Sequence, residues 1–536
     1  MALHKVEDIR NIAFCGHGSS GKTTLADTLL FKTGAITHPA SIDNGTSVCD
    51  FDEEEKHHKH TVESSLVHFN HGGKLFNLLD TPGYPDFIGQ TIGALRAVDT
   101  AVIMINAHSG IGVNTRRVFK EAGKAGLARM IVISKMDLQD VDFPGLLDDI
   151  HSLFGTACLP LNVPLGAGAD FRGVVSTLNP PADAAGALVD PASFTEKLIE
   201  TIIEIDEQVT ERYFEGQQPT PEEISRLTVE AVAAGNLIPI FCVSAKTGGG
   251  LPELLDGLVN CALPPDKLPR TSKAADGSEV AVKCDPAGPL VAQVFKTRID
   301  PFVQKLSFIR LFSGTLKKDE TVHVSNVRKP LKLHQLLRIQ GGATEAIDVA
   351  SAGDVVALAK VEDLHTGSTL GDLTMPSLDF PRPMASLAVM PKTRGDEGKL
   401  SGALHKIVEE DGTLRLDRDP QTKELVMTGM SELHLQILRE RLKRRDKVEV
   451  DTKEPKIPYR ETIQSNAEGS YRHKKQTGGR GQFGEVHIRL YPLPEGTKIE
   501  EYATKQRFPS MREFHYDATH NFLWVDSIVG GTIPNN

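Results

Sequence analysis

The sequence predicts a multidomain protein that combines α/β and α+β architecture. Three observations support this prediction. Short apolar runs alternate with helical patterns over residues 1–265, and short β-rich runs broken by Gly and Asp turns follow up to about residue 380. Residues 384–452 then have the order strand, helix, strand, strand, helix, strand. The chain has 536 residues, which is enough for several domains of ordinary size.

The composition is typical of a soluble globular protein, with 40% apolar and 24% charged residues. The longest apolar runs, such as residues 101–105, are too short to cross a bilayer, and the N-terminus lacks an apolar signal core. The six cysteines form no C-x-x-C pair, which favours reduced thiols in a cytoplasmic protein over disulfides or a zinc site. Because the net charge is −11, any contact with nucleic acid must come from local basic patches.

One motif near the N-terminus predicts a phosphate-binding loop. An apolar run precedes it and a helical pattern follows it, as the G-x-x-x-x-G-K-[ST] motif requires. The loop consists of Gly16, His17, Gly18, Ser19, Ser20, Gly21, Lys22 and Thr23, with Thr24 next to it. Glycines let backbone N–H groups surround phosphate oxygens, and the N-terminus of the helix adds a positive dipole. We expect Lys22 to neutralise the outer phosphates and the Thr23 hydroxyl to bind Mg²⁺. The alternative is a chance match in a loop.

The apolar runs predict a mainly parallel sheet that is covered on both faces, because they lack strict alternation. The predicted strands are residues 12–15, 75–79, 101–106, 130–134 and 238–244. Ligands of such sheets bind at the carboxyl ends of the strands, and three further polar motifs follow strands there.

The first of these motifs predicts a switch. It consists of Asp80, Thr81, Pro82, Gly83 and Tyr84. Asp80 can hold Mg²⁺ through water, and the Gly83 N–H can meet a γ-phosphate. Loss of that phosphate would release the segment.

The other two motifs predict a guanine site. They are Ser134, Lys135, Met136 and Asp137, and then Ser244, Ala245 and Lys246. The Asp137 carboxylate can accept hydrogen bonds from guanine N1–H and the 2-amino group, a donor pair that adenine lacks. The later loop can support the guanine oxygen through backbone N–H groups. All four motifs in this order predict a GTP-binding domain; the alternative is an unrelated phosphate-loop NTPase.

The predicted domain organisation follows from these patterns. The GTP-binding domain covers residues 1–285, and the long interval before Ser244 predicts an inserted subdomain at about 140–235 with an acidic helix near 196–213. Residues 266–289 are polar, with Pro, Gly and Lys, which predicts a linker. A β-barrel domain is predicted at 286–380, with strands at residues 290–295, 306–312, 321–324 and 355–358.

A ferredoxin-like domain is predicted at 384–456. Its predicted elements are residues 385–390, 397–409, 413–416, 424–428, 431–444 and 448–450. The basic end of the second helix, residues 439–445, could be a solvated helix face or a binding surface.

Residues 457–536 predict the first, incomplete part of a basic α+β domain. Basic residues on a Gly-rich loop within residues 471–489 suit a phosphate backbone, with a merely solvated loop as the alternative. Val486, Ile488 and Leu490 alternate with polar residues, which predicts a half-buried strand.

The order of these domains resembles the bacterial elongation factor G family. The strings that resemble it are residues 301–303, 313–316, 428–435, 459–462 and 478–484. Residues 50–61 are similar to the family's first switch, so the resemblance implies that Thr61 joins Thr23 and Asp80 as a metal ligand. The resemblance spans the whole chain. It implies a ribosome-dependent GTPase that uses GTP and Mg²⁺ and promotes tRNA and mRNA translocation, as a cytoplasmic monomer without membrane contact. It also implies two switches, residues 41–61 (switch I) and 80–90 (switch II).

Several residues depart from the family pattern. Tyr84 stands where the family has a histidine that, positioned by ribosomal RNA, organises the attacking water; a phenol does not readily become positively charged. With Tyr84, Lys22 and Gly83 as the catalytic residues, we expect slow or altered hydrolysis, unless Tyr84 is a working substitute. Ser19 replaces an Asp, Ser134 replaces an Asn, and residues 59–60 replace Gly-Ile. The histidines at 57, 58 and 60 could hold a metal, but we expect a mobile, solvated switch loop.

The departures leave a second function open. A GTP-gated ribosome-binding paralogue with weak or no hydrolysis could serve recycling, rescue or hibernation, and a ribosome-protection or peptide-release relative is a third option. Residues 530–534 resemble a point midway through the family's fourth domain, so the tip of that domain and a fifth domain are expected to be absent. As it stands, we expect this chain not to complete translocation.

Overall fold

A computed structural model describes residues 4–300, 303–325, 327–459, 461–476 and 481–529 of the protein. The chain forms two compact units, one that ends at Pro455 and one that begins at Lys456. Within the described residues, no helix is both long and apolar enough to cross a membrane.

The first unit begins with a twisted sheet of seven strands within the fully described stretch 4–300, in the order β2-β3-β1-β4-β5-β9-β6. Only β2 runs antiparallel to its neighbour; the other pairs are parallel. The elements up to the end of this region are β1 (Ile9–Gly16), α1 (Lys22–Lys32), α2 (Glu53–His58), β2 (Ser65–His71), β3 (Lys74–Asp80), α3 (Ile88–Ala97), β4 (Thr100–Asn106), α4 (Val113–Lys124), β5 (Ala128–Ser134), α5 (Phe143–Phe154), β6 (Cys158–Pro160), β7 (Asn162–Leu165), β8 (Gly173–Ser176), α6 (Thr195–Ile203), α7 (Glu207–Phe214), α8 (Pro221–Ala234), β9 (Ile238–Cys242) and α9 (Leu251–Cys261).

The predicted parallel strands are all present, and every residue of β1 is buried, as expected of a strand covered on both faces. The sequence interpretation missed the two edge strands, β2 and β6. The carboxyl ends of β1, β3, β5 and β9 carry the four predicted motifs, so the sheet brings those motifs to one edge.

The prediction of one acidic helix near residues 196–213 is wrong. The segment forms two helices, α6 and α7, which are separated at residues 204–206. The Asp206 side chain accepts a hydrogen bond from the Val209 N–H and thereby caps the start of α7. An N-cap aspartate favours a new helix over continuation of the preceding one.

The prediction of a linker at residues 266–289 is also wrong. This stretch contains an antiparallel hairpin of β10 (Arg270–Lys273) and β11 (Glu279–Val282). Its turn combines Asp276, which accepts hydrogen bonds from Ser278, with Gly277 at a φ of 84°. Polar turn residues of this kind reverse a chain as readily as they make a linker, and sequence composition does not separate the two.

The next region is an antiparallel β-domain with its own apolar core. Its strands are β12 (Val291–Asp300), β13 (Gln304–Ser313), β14 (Thr315–Lys317), β15 (Thr321–Val322), β16 (Leu331–Lys332), β17 (Gln335–Gln340), β18 (Ala343–Ile347), β19 (Val349–Ser351), β20 (Val355–Ala359) and β21 (Thr369–Leu370). The described strands of the main sheet have the order β18-β17-β20-β13-β12-β21. Residues 301 and 302, which contribute to the resemblance, lie outside the described residues.

The first unit ends with the predicted strand and helix order, which is confirmed. The elements are β22 (Ala385–Pro391), α10 (Glu397–Glu410), β23 (Arg415–Arg418), β24 (Leu425–Gly429), α11 (Glu432–Arg445) and β25 (Val450–Lys453). The antiparallel strand order β23-β24-β22-β25 is that of a ferredoxin-like sheet. Leu435, Leu438 and Leu442 of α11 are buried in the core, as their helical spacing predicts.

The second unit contains β26 (Ala467–Gln476), β27 (Gly481–Leu490), α12 (Ile499–Tyr502), β28 (Glu513–Asp517) and β29 (Phe522–Asp526). The prediction that Val486, Ile488 and Leu490 are half-buried is wrong, because every residue of β27 is exposed. The strand pairs only with β26, and none of the described elements covers its apolar side chains. The loop residues 477–480 and the stretch 530–534 lie outside the described residues.

Candidate nucleotide site and its switch contacts

The phosphate loop connects β1 to α1 and places the Lys22 ammonium at its centre. Lys22 is buried and donates hydrogen bonds to the backbone oxygen of His17 at 2.8 Å and of Gly16 at 3.4 Å. Burial lowers the pKa of Lys22, and the charge of Asp80 opposes that shift. Gly21 immediately precedes the helix with a φ of 82°, a left-handed conformation that favours glycine. The loop therefore has the backbone geometry of a phosphate cradle.

Thr23, Thr61 and Asp80, the predicted metal ligands, meet in the structure although they come from three segments. The Thr23 hydroxyl donates to Asp80 Oδ2 at 2.6 Å and lies 2.9 Å from the Thr61 hydroxyl oxygen. All three side chains are buried, and Asp80 Oδ1 has no hydrogen-bond partner within the described residues. Hydroxyl and carboxylate oxygens are the ligands that Mg²⁺ prefers. The residues present therefore fit this ion.

Asp50 is a further acidic residue of this group that the sequence interpretation missed. It is buried, and neither carboxylate oxygen has a hydrogen-bond partner among the residues that the structure describes. Burial raises the pKa of Asp50 to about 6. Burial, together with the nearby Asp50 charge, raises the pKa of Asp80 to about 8. Three buried carboxylate oxygens that lack hydrogen-bond partners in the described part of the chain, both of Asp50 and Oδ1 of Asp80, favour a nearby positive charge, which a divalent cation would supply.

Gly83 of switch II lies against the phosphate loop, and only glycine fits there. A Cβ atom at Gly83 would lie 2.6 Å from both the Gly18 nitrogen and Lys22 Nζ. The buried Asn114 side chain donates to the Gly83 oxygen at 2.9 Å and to the Gly16 oxygen at 3.3 Å, so it joins switch II to the phosphate loop. Asn114 follows no recognisable motif, and the sequence interpretation missed it.

The other residues of this motif hold switch II at the end of β3. The Thr81 hydroxyl donates to the Phe14 oxygen at 2.7 Å, and the Pro82 oxygen accepts a hydrogen bond from Thr91. Tyr84 is 36% exposed, and its ring lies over Gly18, where a Cβ atom would be 3.5 Å from the ring carbons. The predicted catalytic residue therefore lies at the opening of the phosphate loop.

The two predicted base-binding motifs adjoin each other. Asp137 accepts a hydrogen bond from the Ser244 hydroxyl at 2.6 Å, which orients its carboxylate. The Ser134 hydroxyl donates to the Ser20 oxygen at 2.6 Å and thereby connects this motif to the phosphate loop. Lys135 adopts a φ of 60°. Met136 is buried, Ala245 is half-buried and Lys246 is exposed.

The remaining predicted residues lie on the outer side of the phosphate loop. The Ser19 oxygen accepts a weak hydrogen bond from Asn106 at 3.5 Å, and the His17 N–H donates to Thr115 at 3.3 Å. Thr24 is exposed on the first turn of α1.

The expectation of a solvated switch I loop is wrong in this structure. Residues 53–58 form α2, which begins with a capping box of Asp52 and Glu55. His58 lies 2.7 Å from Glu440 of α11. Among the described residues, no group of three or more His, Cys, Asp or Glu side chains is arranged to hold a metal.

The basic end of α11 is solvated only in part: Arg439 and Lys443 are exposed, whereas Arg441 and Arg444 pair with acidic residues near Thr61. Arg441 is buried and forms an ion pair with Glu63 at 2.5 Å. Arg444 lies 3.0 Å from Asp52 and 2.5 Å from Glu54. These acidic residues flank Thr61, so the segment that carries the candidate metal ligand also contacts the ferredoxin-like domain.

Switch II contacts the start of the same helix. The Ser431 hydroxyl donates to Asp86, and its oxygen also accepts a hydrogen bond from the His434 N–H as the N-cap of α11. The Phe87 ring meets the His434 ring edge-on, with centroids 5.6 Å apart. One helix therefore contacts both switches.

Comparison with known proteins agrees with this architecture. The Elongation factor Tu GTP binding domain family matches residues 7–264, the Elongation factor G domain 2 family matches 289–373, the Elongation Factor G, domain III family matches 380–454, and the Elongation factor G, domain IV family matches 455–508. Elongation factor G from Thermotoga neapolitana is 32% identical over 550 residues, which cover 99% of this chain and 76% of the relative. The chain belongs to the elongation factor G family.

This elongation factor G family member is also similar to a second curated relative and to a solved structure. The Thermotoga maritima elongation factor G has the same identity and coverage. A crystal structure of a Thermus thermophilus protein superimposes with a TM-score of 0.79 at 35% identity, covering 91% of this chain and 73% of the other. The protein is thus a translational GTPase with a guanine nucleotide-binding domain, and proteins of its family act on the ribosome.

Proposed function

We propose that this protein is a ribosome-dependent GTPase that promotes the movement of tRNA and mRNA. The observation that best supports the proposal is the continuous contact from Thr23 through Thr61 to α11. Thr61 meets the phosphate-loop threonine at 2.9 Å, and acidic residues on both sides of Thr61 pair with α11. A site that holds Thr61 through nucleotide and metal therefore also favours one arrangement of the ferredoxin-like domain.

In this proposal, phosphate binding belongs to residues 16–24 and to the backbone of residues 80–83. Lys22 neutralises charge on the outer phosphates, and the Gly83 N–H faces the γ-phosphate. Thr23, Thr61 and Asp80 would hold Mg²⁺, which would supply positive charge next to the phosphates. Guanine is selected by Asp137, which the Ser244 hydroxyl orients, within the loops 134–137 and 244–246.

Release of the γ-phosphate removes the partner of Gly83 and loosens Thr61. Because α2 and Glu63 lie on both sides of Thr61, their ion pairs with α11 then weaken. The proposed output is a change in the position of the ferredoxin-like domain, which alters how the protein sits on the ribosome. The proposed direct partners are ribosomal RNA and ribosomal proteins, with tRNA and mRNA moved indirectly.

The proposal also includes the extent of each domain, the cellular location and the oligomeric state. The GTP-binding domain covers 1–285 with an insert at about 140–235, domain II covers 286–380, domain III covers 384–456, and 457–536 is the first part of domain IV. The protein acts as a cytoplasmic monomer.

A second candidate function is supported by Tyr84 and Ser19. If the phenol over Gly18 cannot organise the attacking water, the same contacts make a GTP-gated ribosome binder that hydrolyses GTP slowly. Such a protein would serve recycling, rescue or hibernation.

The deciding experiment measures GTP turnover with and without bacterial 70S ribosomes, for the native chain and for Tyr84→His, together with mRNA movement by toeprinting. Strong stimulation of the native chain with mRNA movement supports the translocation proposal. Background turnover by a native chain that still binds GTP, with stimulation of Tyr84→His, supports the ribosome-binding alternative. Failure of both variants to respond to ribosomes refutes the ribosome-dependent GTPase.

A further inference from the structure

The Tyr84 ring has an aromatic neighbour that belongs to switch I. The His60 imidazole packs on it with ring centroids 4.8 Å apart and an interplanar angle of 54°. His60 is the one aromatic ring packed on Tyr84 among the described residues. It directly precedes Thr61, so the segment that supplies a candidate metal ligand also contacts the candidate catalytic side chain.

One hydrogen bond restrains the His60 ring. Nδ1 lies 3.1 Å from the backbone oxygen of His58. A carbonyl oxygen only accepts, so this contact assigns the proton of the neutral ring to Nδ1 and leaves Nε2 as an acceptor. Nε2 is buried and has no hydrogen-bond partner within the described part of the chain. The imidazole is therefore held by one polar contact and by packing.

The His60 ring also packs against Phe87, which belongs to a buried apolar cluster. The His60 ring is stacked on Phe87 with centroids 6.2 Å apart and an interplanar angle of 28°. Phe87 packs in turn with Val62, Leu433 and Ile437, two of which belong to α11. Phe87 is only 2% exposed, so the side of His60 that faces it is packed against the protein interior. Tyr84 thus rests on a ring whose place α11 helps to set.

The Tyr84 ring also lies next to the phosphate loop, at Gly18. Gly18 has no side chain, and a Cβ atom there would come into ordinary van der Waals contact with the phenol ring at 3.5 Å. The Tyr84 ring thus has the phosphate loop as one neighbour, at Gly18, and the His60 imidazole as another. Tyr84 remains 36% exposed, so loss of the His60 ring would remove one of its packing contacts and expose it further.

We propose that His60 is a positioning residue of the GTPase centre that holds the Tyr84 ring over the phosphate loop. An imidazole–phenol pair then takes the place of the single histidine that the family resemblance implies at residue 84. The kinetic consequence rests on the proposed function, because it requires Tyr84 to act in hydrolysis. The packing of His60 on Tyr84 does not depend on the proposed function.

The kinetic test is single-turnover GTP hydrolysis on saturating 70S ribosomes with the full chain. His60→Ile should lower the rate at least about tenfold, because misplacement of a group near the reacting atoms by about 1 Å costs up to about 10². In the Tyr84→His background the same change should cost less than about twofold. Equal losses in both backgrounds, or no loss in the native one, overturn the proposal.

Two further variants separate positioning from general damage. His60→Phe keeps a ring against Tyr84 and should retain the native rate within about threefold; a rate as low as that of His60→Ile overturns the packing argument. His57→Ile removes an exposed histidine from the same segment and should have no effect beyond about twofold. Binding of a fluorescent GTP analogue within about threefold of native shows that each variant is folded.

A second readout does not depend on hydrolysis. The chain is labelled with 3-fluorotyrosine and bound to a non-hydrolysable GTP analogue, and the Tyr84 fluorine signal is assigned by its loss in Tyr84→Phe. His60→Ile should increase the broadening of this signal by a soluble paramagnetic agent, whereas His60→Phe should not. Unchanged broadening in His60→Ile overturns the proposal. If ribosomes fail to stimulate the native chain, that result refutes the proposed function but not the positioning role of His60. The fluorine measurement then decides whether His60 positions Tyr84.

Discussion

Replacement of Arg441 by methionine tests whether buried charge holds α11 against Glu63, which lies just after the end of switch I. The Arg441 side chain is 6% exposed, and its Nη1 lies 2.5 Å from Glu63 Oε1. Burial alone would raise the pKa of Glu63, but Lys296 and Arg441 beside it hold that pKa well below its ordinary value. Glu63 is therefore charged at neutral pH, and Arg441→Met leaves that charge with one partner fewer.

The magnitude follows from this geometry. Removal of one partner from a buried ion pair costs about 3–5 kcal/mol. Lys296 remains 3.0 Å from Glu63, so we take the lower end, about 3 kcal/mol. At about 2 °C per kcal/mol for a large cooperative unit, the melting temperature should fall by about 6 °C.

Differential scanning calorimetry of four proteins measures this effect: the native chain, Arg441→Met, Glu63→Gln and the double variant. The double variant should be more stable than the sum of the single losses predicts, because it removes both charges. Arg439→Met changes an exposed arginine of the same helix and should shift the melting temperature by about 1 °C or less. A loss below about 2 °C for Arg441→Met, or strict additivity, would refute the reasoning.

Three further predictions concern the base, the metal and acid stability. Asp137→Asn should weaken GTP binding at least about 100-fold and favour xanthosine triphosphate, whose 2-oxo group accepts a hydrogen bond from the new amide. Asp140→Asn changes an exposed aspartate and is the control. Equal effects of the two substitutions on GTP binding would contradict the assignment of Asp137 to guanine. Chelation of Mg²⁺ with EDTA should speed release of a bound GTP analogue at least about tenfold, and Asp50→Asn should reduce that acceleration; stopped-flow fluorescence measures both. Asp411 is buried, which alone would raise its pKa, but hydrogen bonding to His434 makes the net shift downward. The Asp411 carboxylate should therefore stabilise the fold fully above about pH 4, and this stabilisation should decline as pH falls below that value. The melting temperatures of the native chain and Asp411→Asn should then converge towards about pH 3. A difference in melting temperature that stays constant with pH would contradict this account.

The sequence by itself determined the features that depend on short stretches of chain. Phosphate-loop spacing, the strand and helix order of residues 384–452, and the apolar spacing of α11 were all predictable, because each depends on neighbours along the chain. Turn-rich segments were the weak point. Residues 266–289 formed a hairpin and residues 204–206 divided a helix, since Asp and Gly favour turns without specifying what lies on either side.

The tertiary structure alone decided how the segments meet. Asp50 becomes part of the candidate metal group through burial, which its sequence neighbours do not encode. The ion pairs of Arg441 and Arg444 with switch I join residues nearly 400 positions apart. Sequence composition could therefore not decide whether the basic end of α11 is a solvated face or a binding surface. His60 and Tyr84 belong to two separate segments that the sequence marked as switches, but no local pattern showed that the two rings meet. Their contact arises because β2 and β3 pair antiparallel, with Ser65 opposite Asp80, and because α11 packs against both switches.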